Sequence, residues 1–219
     1  MPDEADFVRF DAAFGTRFVV TVDTEEEFDW SKPLDRTSHG LDHVPHIARF
    51  QQFCEGFGVV PAYLIDYPIA TSAEAVEALG EAVKAGRAEV GVQLHPWVSP
   101  PFDEVVSELN SFSGNLPEAL ERAKFCKLRD TIEAAFGVAP QIYRAGRYGV
   151  GPATASILSD CGITIDTSVR ARFDYSYNGG VNFRDLPLRP WWIDKAKELM
   201  EMPLTTVFWG LLRQQGKAI

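Results

Sequence analysis

The sequence predicts an α/β fold in which a parallel sheet is covered by helices. Two observations carry this. Short β-branched runs alternate with segments whose apolar residues recur at helical spacing, and polar residues gather just after the apolar runs. Strand followed by helix, repeated, gives parallel strands, either in an open doubly wound sheet or closed into a barrel. With 219 residues, 46% of them hydrophobic, the chain is long enough for one large domain and short for two. No Pro/Ser/Gly linker interrupts it, so residues 1–219 are expected to form a single domain.

The first strand is read over Phe18 to Val22, after the turn-like Gly15 and leading into a cluster of acids. A helix follows from about Asp42, with Val44, Ile47, Phe50, Cys54 and Phe57 on one face and Gly58 as its stop. The run VVPAYLID from Val59 is a second strand, and Thr71 with Glu74 forms a capping box for a helix that turns Val76, Leu79 and Val83 inward and stops at Gly86. Glu89 to Leu94 is a third strand. Pro96 to Leu116, rich in Pro, Ser and Asn, is a long loop over one end of the fold. A long helix begins near Pro117, keeps Phe125, Leu128, Ile132 and Phe136 on one face and stops at Gly137. Ile142 and Tyr143 precede RAGRYG, and a helix runs from near Pro152 to Gly162. Ile163 to Ile165 and Met200 to Leu204 are further short strands.

Charge narrows the function. There are 31 acidic and 21 basic side chains, a net charge of −10, so phosphate backbones and anionic lipids would be repelled and no nucleic-acid partner is expected. No run approaches a membrane span, and the start MPDEADFVRFDAAF carries acids where a signal peptide carries bases, so the expected location is cytoplasmic. Cys54, Cys126 and Cys161 are far apart and odd in number, and are read as small core residues. Neither G-x-G-x-x-G nor G-x-x-x-x-G-K-[ST] occurs, so no nucleotide cofactor is expected; there is no G-x-S-x-G elbow.

Ligands bind beyond the carboxyl ends of parallel strands. The first strand ends in TVDTEEEFDW, where alternation puts Asp23 and Glu25 on one face; they can hold a metal or divide into acid and base, or form a solvated acidic loop, the reading given to Glu26 and Glu27. In VGVQLHPW, Gln93 and His95 share a face and Trp97 follows; His95 is a ligand, a proton carrier or a structural histidine. Arg144 in YRAGRYG either forks onto one of the carboxylates, fixing it and lowering its pKa, or bridges at the surface. Asp166 in ITIDTSV is another strand-end carboxylate, or a helix cap. His39, His43 and His46 crowd a loop and the start of a helix, without metal-site spacing, and are not taken as ligands.

Four segments in order, TVDTEEEFDW, EVGVQLHPW, YRAGRYG and GITIDTS, resemble the polysaccharide deacetylase family, also called NodB-homology or carbohydrate esterase family 4, and within it the WalW-like branch associated with lipopolysaccharide and exopolysaccharide biosynthesis. The resemblance spans Thr21 to Ser168. It implies a distorted (β/α)7-type barrel with parallel strands, a divalent metal such as zinc, and hydrolysis of acetyl groups on sugars, so the substrate would be a carbohydrate or small amide. It makes Asp23 the catalytic base, Arg144 its buttress and Asp166 a further catalytic position. Glu25, Gln93 and His95 would surround the metal; Thr24 stands at the family's metal-binding aspartate and Gln93 at its first histidine. An amide binds metal weakly through its carbonyl, so weak metal binding is expected. Trp97 and Tyr148 could stack on a sugar ring. The family's later histidine, a general acid, has no counterpart, since no histidine follows His95. With LLRQQGKAI soon after the strand-like MPLTTVFWG, the expectation is that the sequence is cut short, that the barrel is incomplete at the C-terminus, or that the acid has been replaced; an incomplete barrel would expose an edge that favours a homo-oligomer or belongs to a longer natural chain.

Overall fold

The computed structural model describes residues 1–210. LLRQQGKAI, on which the expectation of an incomplete end rests, lies outside the described residues. Seven strands form one sheet: β1 (Thr21–Thr24), β2 (Ala62–Ile65), β3 (Glu89–Leu94), β4 (Ile142–Ala145), β5 (Ile165–Asp166), β6 (Trp191–Trp192) and β7 (Met200–Glu201), in the order β1-β2-β3-β4-β5-β7-β6. Every pair is parallel except β6 with β7, which is antiparallel. The helices are α1 (Val44–Gly56), α2 (Tyr67–Thr71), α3 (Ala73–Lys84), α4 (Glu118–Phe136) and α5 (Thr154–Asp160).

The sheet curls strongly. In a flat sheet, β1 and β4 would stand about 14 Å apart, three strand spacings, with side chains normal to the surface and unable to meet. Yet Arg144 on β4 donates to Thr21 Oγ1 on β1 at 2.8 Å and pairs with Asp23. The strands thus wrap round a common interior, as in a distorted barrel, but the described sheet is not closed. The outer edge of β6 is covered by the N-terminal segment, where Trp192 N–H donates to Asp6 O at 2.8 Å and Val8 N–H to Pro190 O at 3.0 Å. That removes one unpaired edge.

The main core lies between the sheet and its helices. Leu79 and Val83 of α3, Phe125, Leu128, Ile132 and Phe136 of α4, and Val90, Val92 and Tyr143 of the strands are buried together. The α4 face and its Gly137 stop are as the periodicity predicts, Gly137 taking the left-handed conformation at φ 73°. Lys124 on α4 is fully buried; its Nζ donates to Pro96 O and Ser99 O and pairs with Glu104 at 2.8 Å, tying the loop after β3 onto the helix.

Several expected details differ. β1 starts at Thr21, and Phe18 and Val19 are exposed because they precede the ladder's parallel pairing. On α1 the buried set is Val44, Ile47, Gln51 and Cys54, and Phe50 and Phe57 point outward; Gln51 is satisfied by Tyr63 Oη and Arg87 O, so a polar residue holds an inner position. The cap of α3 is Ser72, whose hydroxyl accepts from Ala75 N–H, while Thr71 ends the short α2, a helix without a sequence signal of its own because Pro68 reads as part of a connecting segment. β5 is Ile165–Asp166, shorter and later than the strand expected over Ile163 to Ile165, with Asp166 at its end, and β6 carries too short an apolar run to signal a strand. Cys126 and Cys161, distant in sequence, meet with Sγ atoms 3.4 Å apart where α4 passes the end of α5. No described helix is long and apolar enough to cross a membrane.

Candidate active site

The carboxyl ends of β1, β3 and β4 open into a cleft of about 250 Å³. Its floor is Asp23, Glu25, Gln93 and Arg144; Tyr148, Arg170 and Tyr175 form one wall, and Trp30, Phe112 and Arg147 another. The alternation argument places Asp23 and Glu25 side by side, and the parallel register sets Gln93 opposite Arg144.

Arg144 organises the floor. It is buried, its Nε donates to Thr167 O at 3.2 Å, its Nη2 to Thr21 Oγ1 at 2.8 Å and Thr167 Oγ1 at 3.3 Å, and its Nη1 to Asp23 Oδ1. The fork onto a carboxylate is therefore present, but its expected effect on pKa is reversed. Burial and the neighbouring Glu25 outweigh Arg144, and the Asp23 carboxyl stands above its ordinary value. A raised pKa makes the Asp23 anion the stronger base.

Glu25 Oε2 accepts from Gln93 Nε2 at 2.5 Å and lies 3.2 Å from His95 Nε2. On the other side of the ring, His95 Nδ1 is 2.8 Å from Glu26 Oε2. Glu26 is thus buried rather than solvated, because the chain turns after β1 and swings it under the cleft. Asp66, at the end of β2, accepts from Glu26 N–H at 2.7 Å and caps α2 through Ile69 N–H at 2.9 Å. Glu27 remains at the surface, capping α1 through His43 N–H and its ring. Asp66 carries the same signal as the other site residues, an acid just after an apolar run, yet it is absent from the candidates that the sequence reading singles out.

Burial alone would push His95 down, but Glu26 and Glu25 raise its pKa well above the ordinary value, so the ring is an imidazolium between two carboxylates. Glu26 is held below the usual range, its burial outweighed by His95, whereas burial and the adjacent Glu26 push Asp66 well up. These shifts favour a charged His95 beside an ionised Glu26, with Asp66 holding its proton more tightly than an ordinary carboxyl. Gly146 makes room for the ring: a Cβ there would come within 2.4 Å of His95 Cδ2.

Trp97 is placed differently from the expectation. It is buried, stacked on His95 with ring centroids 4.5 Å apart and edge-on to Trp30, so its face is spent inside the protein and no sugar can reach it. Tyr148 does line the cleft, as do Trp30, Tyr175 and Tyr177, which sequence reasoning misses for want of any periodic signal in their loops. Tyr148 and Arg147 both have positive φ, 60° and 55°, a strained backbone that sets them over the floor.

Asp166 does not line the cleft. It pairs in register with Tyr143, on the face opposite Arg144, and accepts from Ser168 N–H and Oγ–H. Burial pushes its carboxyl up from 3.8 to about 6, with Glu201 on the neighbouring strand also pushed well up by burial and by Asp166. A raised carboxyl pKa means that its contribution to stability is full below pH 4 and is lost as pH rises through about 6. Asp166→Asn keeps an oxygen for Ser168 and removes that loss. It is expected to be more stable than the parent by about 1–3 kcal/mol at pH 7.5 and equal to it near pH 4, read from denaturant unfolding at the two pH values. Unchanged stability at pH 7.5 would show that the carboxylate is ionised without cost.

Glu26, Asp66 and His95 lie close enough together to hold a cation. Their chemistry argues against it: His95 Nδ1 and Glu26 Oε2 satisfy each other, and both Asp66 oxygens accept backbone N–H groups. Glu25, Gln93 and His95 also converge, but Gln93 presents its amide N–H to Glu25, while its buried Oε1 has no partner, and His95 Nε2 carries a proton toward the same oxygen. These residues do not fit a tightly held divalent ion.

Comparison with known proteins bears on this geometry. No protein-family model matches the sequence, and no curated protein matches it. Among solved structures, the chain superposes on a protein from Mycobacterium smegmatis assigned as a polysaccharide deacetylase, with TM-score 0.55 and 17% identity over 91% of this chain and 62% of that one. The fold is that of the polysaccharide deacetylases. The chain spans less than two thirds of that relative's length. It also matches IcaB from Ammonifex degensii (TM-score 0.48, 15% identity, 91% of this chain and 71% of that one). A 4-alpha-glucanotransferase from Thermococcus litoralis matches with TM-score 0.52 and 13% identity, over 86% of this chain and 28% of that one. Solved structures that this chain resembles include both a deacetylase and a glucanotransferase, so the reaction has to be argued from the cleft.

Proposed function

We propose that this protein is a hydrolase that removes an acetyl or other acyl group from the nitrogen of an amino sugar or related small amide, in cell-surface polysaccharide or lipopolysaccharide metabolism, working without a tightly held metal. One observation carries the reading: Asp23, fixed by Arg144 at the strand ends, lines an aromatic-walled cleft beside the Glu25–His95 pair.

The chemistry balances on these residues. Asp23 takes a proton from water as its oxygen bonds to the acyl carbon, and Glu25, held by Gln93 and His95, accepts the water's other hydrogen. The oxyanion needs donors, and Tyr148, whose hydroxyl burial keeps protonated, stands at the cleft wall to supply one. Collapse breaks the C–N bond, and the proton on Asp23 passes to the departing nitrogen, leaving a free carboxylic acid and an amine.

The test is acetate release from N-acetylated amino sugars and chitooligosaccharides, with and without a chelator. Release that resists the chelator is expected. Release abolished by chelator and restored by zinc would overturn the metal-free reading. A second reading, a sugar-binding protein of the same fold without turnover, is favoured by Glu25 already being engaged by Gln93 and His95. Sugar binding with no acetate released from any substrate would select it.

A further inference from the structure

The cleft is charged unevenly. On its floor Arg144 is paired with Asp23, and on the wall Arg147 is paired with Glu108. Arg170, half-buried on the opposite wall, is different: among the described residues no carboxylate pairs with it, in a chain whose net charge is −10. Its guanidinium is nonetheless held in place. It lies 3.9 Å from the ring centre of Phe173 and 5.4 Å from that of Tyr148, and its Nη1 donates to Tyr175 Oη at 2.8 Å.

A guanidinium clamped by aromatic faces has already lost the rotamer freedom that binding would otherwise cost, and its fork suits a carboxylate or phosphate. Its immediate neighbours are the stacked rings of Tyr148 and Tyr175, 5.6 Å apart. Tyr148 links the two halves of the cleft, because its hydroxyl feels both the Asp23 and Glu25 carboxylates and the Arg170 charge.

We infer that the cleft takes an anionic sugar, whose carboxylate or phosphate is held by Arg170 while the part to be cleaved lies against Asp23. The inference rests on the hydrolase reading for the second half of that statement only; Arg170 is a specificity residue and takes no part in bond breaking.

Binding of sugars that carry no acyl group separates the two. Glucuronate, glucose 6-phosphate and glucose are titrated into the intact protein and into Arg170→Gln, with calorimetry as the readout. One or both acidic sugars are expected to bind roughly 10- to 100-fold tighter than glucose, the size of a charge-assisted hydrogen-bonded pair, and Arg170→Gln is expected to erase the preference. Whichever of glucuronate and glucose 6-phosphate binds more tightly identifies the anion. Equal binding of all three sugars, or a preference that survives Arg170→Gln, would overturn the inference. Should that variant fail to fold, Arg170→Lys and the salt dependence of the intact protein decide, since an anion preference must shrink between about 50 and 500 mM salt. An Arg170-dependent preference with no acetate released from 2-acetamido-2-deoxyglucuronate, N-acetylglucosamine 6-phosphate or the neutral N-acetylated sugars would leave the anion site standing and remove the hydrolase reading.

Discussion

Asp23→Asn is expected to lower kcat by roughly 10²- to 10⁴-fold, the contribution of a positioned general base. Asparagine keeps the shape and one oxygen for Arg144 but has no lone pair basic enough to take a proton from water. Arg144 retains Thr21 and Thr167 as partners, so the sheet should keep its curl. It does lose its counter-ion, but burial and Glu25 already disfavour the ionised Asp23 carboxyl, so at neutral pH the variant should be at least as stable as the parent. The two effects separate experimentally: thermal melting reports the second, and kcat measured well below the melting temperature reports the first. A variant that keeps most of its activity would move the base to Glu25, the other floor carboxylate.

The place of Asp23 is legible in the sequence because strand alternation and position after an apolar run are local properties. The same two properties make Glu25, Gln93, His95 and Arg144 candidates at neighbouring strand ends, and the structure brings all four together with Asp23 around the cleft floor. What the sequence does not disclose depends on path rather than period. Glu26 follows Glu25 directly and by alternation should face away, but the chain leaves the strand there and carries its carboxylate beneath His95. Trp97 sits where a sugar-stacking residue would be placed, yet the loop held by Lys124 folds it inward onto the His95 ring. Asp166 is the strand-end residue it reads as, but it pairs with Tyr143 and so lies on the face opposite Arg144, a matter of register that its own segment does not disclose. Arg170 and Tyr175 lie in irregular chain with no repeating pattern, so only the folded arrangement shows that they share the cleft with Asp23.

Gln93→His is expected to tighten zinc binding by at least about 10-fold, the scale on which even supporting residues alter metal affinity. The parent is expected to bind weakly because the groups that converge there are already engaged with Glu25: Gln93 donates its amide N–H to it, and His95 Nε2 lies 3.2 Å from the same oxygen. An imidazole at position 93 would face Glu25 from the same strand face as His95, replacing an amide donor by a nitrogen lone pair that zinc prefers at about 2.0–2.1 Å. Glu26 would then hold His95 by its Nδ1–H, the arrangement that orients a metal-bound histidine and leaves Nε2 free. Zinc must displace the His95 proton, and that proton is held tightly by the two flanking carboxylates, so affinity should rise with pH in parent and variant alike. Competition with a chromophoric chelator at pH 7 and pH 8 measures both effects. Stoichiometric, tight zinc in the parent would show that the imidazolium yields readily and that the cleft is a metal site after all. No gain from Gln93→His would show that position 93 does not present its side chain to the point where Glu25 and His95 converge.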